Sequence, residues 1–305
     1  MQKLLERVLK HNQKYTKDGK VATYIPELSK ANGHDLGISI ISLNGNEYSV
    51  GVSDKKFTIQ SISKVVTLLL AIMDDGKNNV FSKVGVEPTG QGFNSIVNLE
   101  IKAPLKPFNP MVNSGAIVTT SLIYGNTQEE RFERILNFTK KITGNPNITY
   151  NHDVYLSEKK TGDRNRALAY FMKSNNIFTG NVEEVLDLYF KQCSIEVTCR
   201  DIARIAAVLA NEGVLPWSGE RILTREACRI VKTIMVTCGM YDASGEFAVS
   251  VGVPAKSGVS GGIMAAVPNR MGIAVYGPAL DSKGNSVAGL KVLQDLSEEL
   301  DLSIF

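Results

Sequence analysis

Phe57-Thr58-Ile59-Gln60-Ser61-Ile62-Ser63-Lys64-Val65-Val66-Thr67-Leu68-Leu69-Leu70-Ala71-Ile72-Met73 contains the change of pattern that decides how the chain is read. The segment Phe57 to Gln60 gives way to an apolar run from Val65 to Met73, expected to be a helix with Ser61 in its first turn. Residues three apart on a helix share a face, so the Ser61 hydroxyl and the Lys64 amine fall within reach of each other. A Ser-x-x-Lys pair is one way to activate a serine nucleophile without histidine, the lysine taking the proton. The amine must then be neutral, so its pKa has to drop from about 10.4 to roughly 7–8, a selective destabilisation of the ammonium by about 4 kcal/mol. Burial and the positive end of a helix dipole both act in that direction.

The same spelling recurs at Ser53-Asp54-Lys55-Lys56 and Ser157-Glu158-Lys159-Lys160. Both copies read as charged, turn-like stretches in which a lysine stays solvated and cationic. Only the Ser61 copy opens an apolar helix. By themselves its four residues are read first as a capping serine and a lysine that snorkels to water, so the surrounding chain has to decide.

Outward from this segment, Leu36 to Leu43 and Glu47 to Val52 form an expected β-hairpin around Asn44-Gly45-Asn46. Near the other end Ala248–Val253, Gly262–Val267 and Met271–Tyr276 are expected to be consecutive antiparallel strands, and Val287 to Leu300 an amphipathic helix. Between them lie helix candidates near 114–124, 128–143, 165–174, 182–192, 198–212 and 224–237, with Gly144, Gly180 and Gly213 as stops. Neither set of strands buries its faces alone, so the two are expected to pair in one sheet. The predicted fold is α/β of the α+β kind: a five-stranded antiparallel sheet flanked by helices, with an inserted helical lobe. The whole chain 1–305 then reads as one domain, its sheet lobe from about 1–60 and 245–305 and its helical lobe about 61–244. Ser61 falls where the chain leaves the sheet for the helices, a place where clefts form.

Composition removes whole classes of function. With 305 residues, 43% hydrophobic, 21% charged and a net charge of +3, the chain reads as an ordinary globular protein without the basic footprint of a nucleic-acid binder. No apolar run approaches the roughly 20 residues of a membrane span. Met1 to Lys10 is an amphipathic helix without the apolar stretch of a signal peptide, so a cytoplasmic location is expected and no membrane partner. Cys193, Cys199, Cys228 and Cys238 lack Cys-x-x-Cys spacing and read as buried thiols. His11, His34 and His152 are far apart and without ligand spacing, so neither metal nor cofactor is expected.

A second constellation faces the first. Lys256-Ser257-Gly258 precedes the strand from Gly262, and a Lys-[Ser/Thr]-Gly triplet at a sheet edge is the partner signature of Ser-x-x-Lys enzymes. A backbone N–H at Ser257 or Gly258 would complete an oxyanion hole with that of Ser61. Lys160-Thr161-Gly162 has the same letters but reads as a polar loop. Gly258-Val259-Ser260-Gly261-Gly262 matches the Gly-x-Ser-x-Gly nucleophile elbow, but there the histidine follows the serine, and every histidine here precedes residue 258.

Several ordered segments together closely resemble the glutaminases of the serine β-lactamase-like fold, nearly end to end. They are Tyr24-Ile25-Pro26-Glu27-Leu28, Gln60-Ser61-Ile62-Ser63-Lys64, Asn109-Pro110-Met111-Val112-Asn113-Ser114-Gly115, Ser157-Glu158 with Gly162-Asp163-Arg164-Asn165, Tyr189 before Cys193 to Cys199, Cys238-Gly239-Met240-Tyr241-Asp242, and Pro254 to Gly262. The resemblance implies hydrolysis of L-glutamine to L-glutamate and ammonia, with Ser61 as nucleophile and Lys64 as its base. It also implies that Asn113, Glu158, Asn165, Tyr189, Tyr241 and the backbone of Val259 contact the substrate. Tyr241 would bridge Ser61 and the departing ammonia as an acid, and Tyr24 would add a hydroxyl to the pocket. Glutamine is a zwitterion, so Glu158 suits its ammonium, and Asn and Tyr donors suit its carboxylate. Relatives that assemble suggest a homodimer or homotetramer. Two other readings stay open: a penicillin-recognising serine hydrolase or peptidase, and a glutamine-binding module without turnover.

Overall fold

The two ends of the chain meet in one sheet. The computed structural model describes residues 1–89, 95 and 106–305. Strands β1 (Gly37–Ser42) and β2 (Glu47–Gly51) join β5 (Ala255–Ser257), β6 (Gly262–Val267) and β7 (Met271–Tyr276) in the order β2-β1-β7-β6-β5, with every neighbouring pair antiparallel. The seam between the two ends is β1 on β7, with Ile38 opposite Val275 and Ile40 opposite Ile273. A separate short pair, β3 (Phe57–Thr58) and β4 (Glu196–Val197), leads into the Ser61 segment.

Strands β6 and β7 are buried at every residue, because the sheet is covered on both faces. On one face Ile38, Ile40, Ile263, Ile273 and Val275 pack with Leu5 and Val8 of α1 (Gln2–Asn12) and with Val292, Leu293 and Leu296 of α11 (Val287–Leu300). On the other, Met264, Ala266, Ala274 and Tyr276 belong to a core shared with α8 (Cys199–Ala210), α2 (Ser63–Lys83), α4 (Gln128–Thr143) and α9 (Arg225–Cys238). A capping box starts α8: Thr198 Oγ1 accepts from the Asp201 amide, and the Asp201 carboxylate accepts from the Thr198 amide. Helix α8 touches β7 backbone to backbone, since a Cβ at Gly272 would stand 2.1 Å from the Ala203 carbonyl oxygen and 2.2 Å from the Ala207 nitrogen. Gly272→Ala is therefore expected to force the helix off the sheet, costing about 1–3 kcal/mol or more and lowering the melting temperature. An unchanged melting curve would show that this contact yields.

The remaining helices are α3 (Asn113–Ser121), α5 (His152–Thr161), α6 (Asp163–Ser174), α7 (Val182–Cys193) and α10 (Ser244–Ser250). Three expectations need correcting. Residues 248–253 are not a strand; α10 ends there, and β5 begins only at Ala255. The apolar residues Phe247, Val251 and Val253 serve the α11 core without extending the sheet, which explains why their run resembled a strand. Helix α5 has no counterpart among the expected helices, because its buried face is short, Val154 and Tyr155 followed by the carboxyl of Glu158, and the rest of the segment is polar. Asn151 nevertheless caps it, its side chain accepting from the Val154 amide at 2.9 Å. Ser157 to Lys160 and the Lys160-Thr161-Gly162 triplet thus lie on and just after a helix, with Lys160 exposed. The expected helix from Val65 runs from Ser63 to Lys83, broken at Gly76, whose φ is 75°.

Candidate active site

Ser61 stands on a 3-10 turn, Gln60–Ile62, just before α2 rather than in the helix's first turn. The Ile59 amide donates to the Ile195 carbonyl at 2.8 Å and anchors the entry. Gln60 then takes a left-handed φ of 48°, uncommon outside glycine, which turns the chain sharply at the residue before Ser61. The β5–β6 turn lies against this bend: a Cβ at Gly258 would come 3.0 Å from the Ile59 carbonyl oxygen.

Lys64, on the first turn of α2, is 1% exposed. Burial lowers its pKa to about 8, partly opposed by the charges of Cys193 and Glu158. Its Nζ donates to the Met111 carbonyl at 3.0 Å and to Asn113 Oδ1 at 2.7 Å. The lysine therefore does not snorkel. A neutral amine has two hydrogens and one lone pair, so these two acceptors use both hydrogens and leave the lone pair available. Asn113 is the first residue of α3, and both ends of its amide are held: Tyr189 also donates to Oδ1, at 3.3 Å, and Nδ2 donates to Asn165 Oδ1 at 2.9 Å.

Glu158, on the inner side of α5, is buried, and burial raises its carboxyl to about 8, against the Gln60 hydrogen bond and the charge of Lys64. Gln60 Nε2 donates to Glu158 Oε1 at 2.8 Å, tying the strained bend to this carboxyl. Tyr241 also has a left-handed φ, 57°. Burial pushes its phenol up to about 12, opposed by side-chain hydrogen bonding with Ser61 and Ser257. The Tyr241 hydroxyl donates to the Ser257 carbonyl at 3.2 Å.

A cavity of about 100 Å³ opens over these groups, lined by Tyr24, Gln60, Ser61, Asn113, Glu158, Arg164, Asn165, Tyr189, Cys193 and Val259 among others. Seven of the expected residues thus share one pocket. Lys64 and Tyr241 do not line it; Tyr241 borders a second cavity of about 120 Å³ with Met111, Val112 and Cys238. Tyr24 is 55% exposed, yet burial around its hydroxyl, with Tyr241 and Glu158 nearby, raises its pKa well above the usual range.

The backbone donors differ from expectation. The Ser257 amide donates to Gly239 O at 3.2 Å and the Gly258 amide to Gly262 O at 2.9 Å, so both are consumed by the sheet edge and its turn. The Val259 amide has no acceptor among the described residues, and Val259 lines the pocket. The Gly-x-Ser-x-Gly match is the tight connection between antiparallel β5 and β6, not a strand-to-helix elbow. Gln60 and Cys193 were not singled out as site residues from sequence: a glutamine before the serine and a buried thiol carry no chemical signature. All four cysteines are buried free thiols. Among the described residues no helix is long and apolar enough to cross a membrane, and no group of three His, Cys, Asp or Glu could hold a metal ion.

The model of the glutaminase family matches residues 19–305. The chain belongs to the glutaminase family. Glutaminase 2 of Clostridium perfringens is 68% identical to it over 305 residues, the whole of both chains. A glutaminase of Clostridium botulinum is 63% identical over the same full length. Among solved structures, a Bacillus glutaminase in the presence of 4.3 M NaCl superposes with a TM-score of 0.92 at 40% identity, covering 99% of this chain and 98% of that one. A Bacillus subtilis glutaminase in covalent complex with 5-oxo-L-norleucine, formed by reaction with 6-diazo-5-oxo-L-norleucine, gives 0.91 at 39% identity over 99% and 98% of the two chains. This glutaminase-family enzyme shares their β-lactamase-like architecture, with the expected five-stranded antiparallel sheet.

Proposed function

We propose that the chain hydrolyses L-glutamine to L-glutamate and ammonia through a glutamyl ester on Ser61, with Lys64 as the base. The observation that carries this reading is the buried Lys64 amine, lowered to about 8 and held by two carbonyl acceptors one turn from Ser61. Lys64 takes the Ser61 proton as Oγ bonds to the side-chain amide carbon, and the carbonyl oxygen becomes an oxyanion facing the Val259 and Ser61 amides. The C–N bond then breaks, and the nitrogen takes a proton from Tyr241 and leaves as ammonia. The Lys64 ammonium returns that proton to Tyr241. Water then attacks the ester carbon as Lys64 takes its proton, and the Lys64 ammonium returns that proton to Ser61 Oγ as the C–O bond breaks and glutamate leaves.

Several features support glutamine as the substrate. Glu158 supplies an anion for the α-ammonium, while the Asn165 Nδ2 and the Tyr24 hydroxyl supply donors for the carboxylate, with Tyr189, its proton on Asn113 Oδ1, lining the pocket beside them. The substrate's ammonium draws Glu158 back to its ionised form. The Bacillus subtilis relative that reacts covalently with 6-diazo-5-oxo-L-norleucine supports a nucleophilic mechanism by likeness. Ammonia release from L-glutamine against L-asparagine tests the reading; asparagine, one methylene shorter, is expected to be slower by roughly tenfold or more. Equal rates would overturn the substrate assignment. Acylation of Ser61 by a β-lactam would instead favour the penicillin-recognising alternative, and glutamine binding without ammonia the silent module. In this reading the chain is one catalytic unit, acting in the cytoplasm as a homodimer or homotetramer, without cofactor, nucleic acid or membrane.

The pH dependence has a definite sign. Lys64 is active when neutral, above about 8, and Glu158 binds an ammonium when ionised, also above about 8. Both conditions fail as pH falls, so kcat/KM is expected to drop on the acid side with a log–log slope between about 1 and 2. The kcat profile should retain only the Lys64 limb, because bound substrate holds Glu158 ionised. A kcat/KM profile flat from pH 6 to 9 would contradict both roles.

A further inference from the structure

Lys256 lies on β5 and is 0% exposed, among the largest fully buried side chains of the protein. It does not line the pocket. Among the described residues no carboxylate pairs with it; its Nζ donates to the Ser257 carbonyl at 2.6 Å and stands 4.3 Å from the centroid of the Tyr241 ring. The Tyr241 hydroxyl donates to that same Ser257 carbonyl. One backbone oxygen thus gathers both side chains, and the amine closes against the face of the ring whose hydroxyl neighbours Ser61. Tyr241 needs such support, since a left-handed φ in a bulky residue persists only where its surroundings hold it.

We propose that Lys256 is a positioning residue that holds the Tyr241 phenol against Ser61, so that it delivers its proton to the departing nitrogen. Burial and the nearby Lys64 charge keep the Lys256 amine well below the usual lysine range, which spares the site a second cation. The inference rests on the acid role proposed above for Tyr241, and acts at the step in which the C–N bond breaks and nitrogen gains the Tyr241 proton.

The test compares Lys256→Met, Lys256→Gln, Tyr241→Phe and the double variant Lys256→Met/Tyr241→Phe on two substrates. L-glutamine releases ammonia and needs the acid; the γ-p-nitrophenyl ester of glutamate releases p-nitrophenolate and does not. Lys256→Met is expected to lower kcat on L-glutamine about 10–100-fold with KM changed less than about threefold, and to leave the ester within about threefold of wild type. Lys256→Gln, which keeps an N–H donor for the Ser257 carbonyl, should recover part of the loss. In the Tyr241→Phe background the Lys256→Met change should cost nothing further. Equal losses on both substrates, an additive double variant, or both Lys256 variants failing to fold would overturn the positioning role. Full activity of Tyr241→Phe on L-glutamine would instead remove the acid role itself.

Discussion

Ser61→Ala is expected to lower ammonia release from L-glutamine by about 10⁴-fold or more, the scale on which nucleophile removal acts in serine hydrolases. No other group in the pocket replaces it. Cys193 lines the same cavity, but burial pushes its thiol far up, so its thiolate is scarce. The two other Ser-x-x-Lys copies pair with exposed lysines: Lys56 is 62% exposed beside Glu196, and Lys160 is exposed on α5. The fold should survive, because the change removes one hydroxyl from a short turn whose anchors are the backbone bond from Ile59 to Ile195 and the Gln60–Glu158 contact. Ammonia assays and melting curves on the same preparation check both halves. Retention of a tenth or more of wild-type activity would end the nucleophile assignment.

Lys64→Met and Lys64→Arg should separate charge from packing. Methionine keeps most of the buried stem and removes a costly buried amine, so the protein should stay folded while losing about 10²–10⁴ in kcat, the range for a general base. Asn113 would lose a donor, leaving its Oδ1 with Tyr189 alone. Arginine is the harsher change despite its likeness to lysine. Its guanidinium cannot be deprotonated, and Lys64 is 1% exposed with two carbonyl acceptors and no carboxylate bonded to it. That variant should be both inactive and less stable. A loss below about tenfold in Lys64→Met would point to a different base, Tyr241 being the nearest alternative to Ser61.

Much of the fold was legible because each end of the chain spells its elements locally. The β-hairpin around Asn44-Gly45, strands β6 and β7, and helix α11 follow from apolar runs bounded by turn residues. Residues 248–253 failed for a reason of the same kind: a short apolar run cannot say whether it packs as a helix end or a strand. Helix α5 was invisible because its buried face holds only Val154 and Tyr155 before the Glu158 carboxyl, too short an apolar stripe to show a helical period. The covering of the sheet by α8 also needed three dimensions, since nothing in the spelling of Gly272 says that Ala203 and Ala207 will lie on it.

Residue identity and order alone determined the sheet's two sources, the Ser61–Lys64 pair and the family landmarks, because turn chemistry, periodicity and motif spacing act over short separations. Tertiary structure decided which groups are usable. Burial set the Lys64 amine and the Glu158 carboxyl near 8, and backbone pairing consumed the Ser257 and Gly258 amides while leaving that of Val259. It also brought Lys256 onto the face of Tyr241. Solvation and hydrogen-bond partners come from segments distant in the chain, and no local pattern records them.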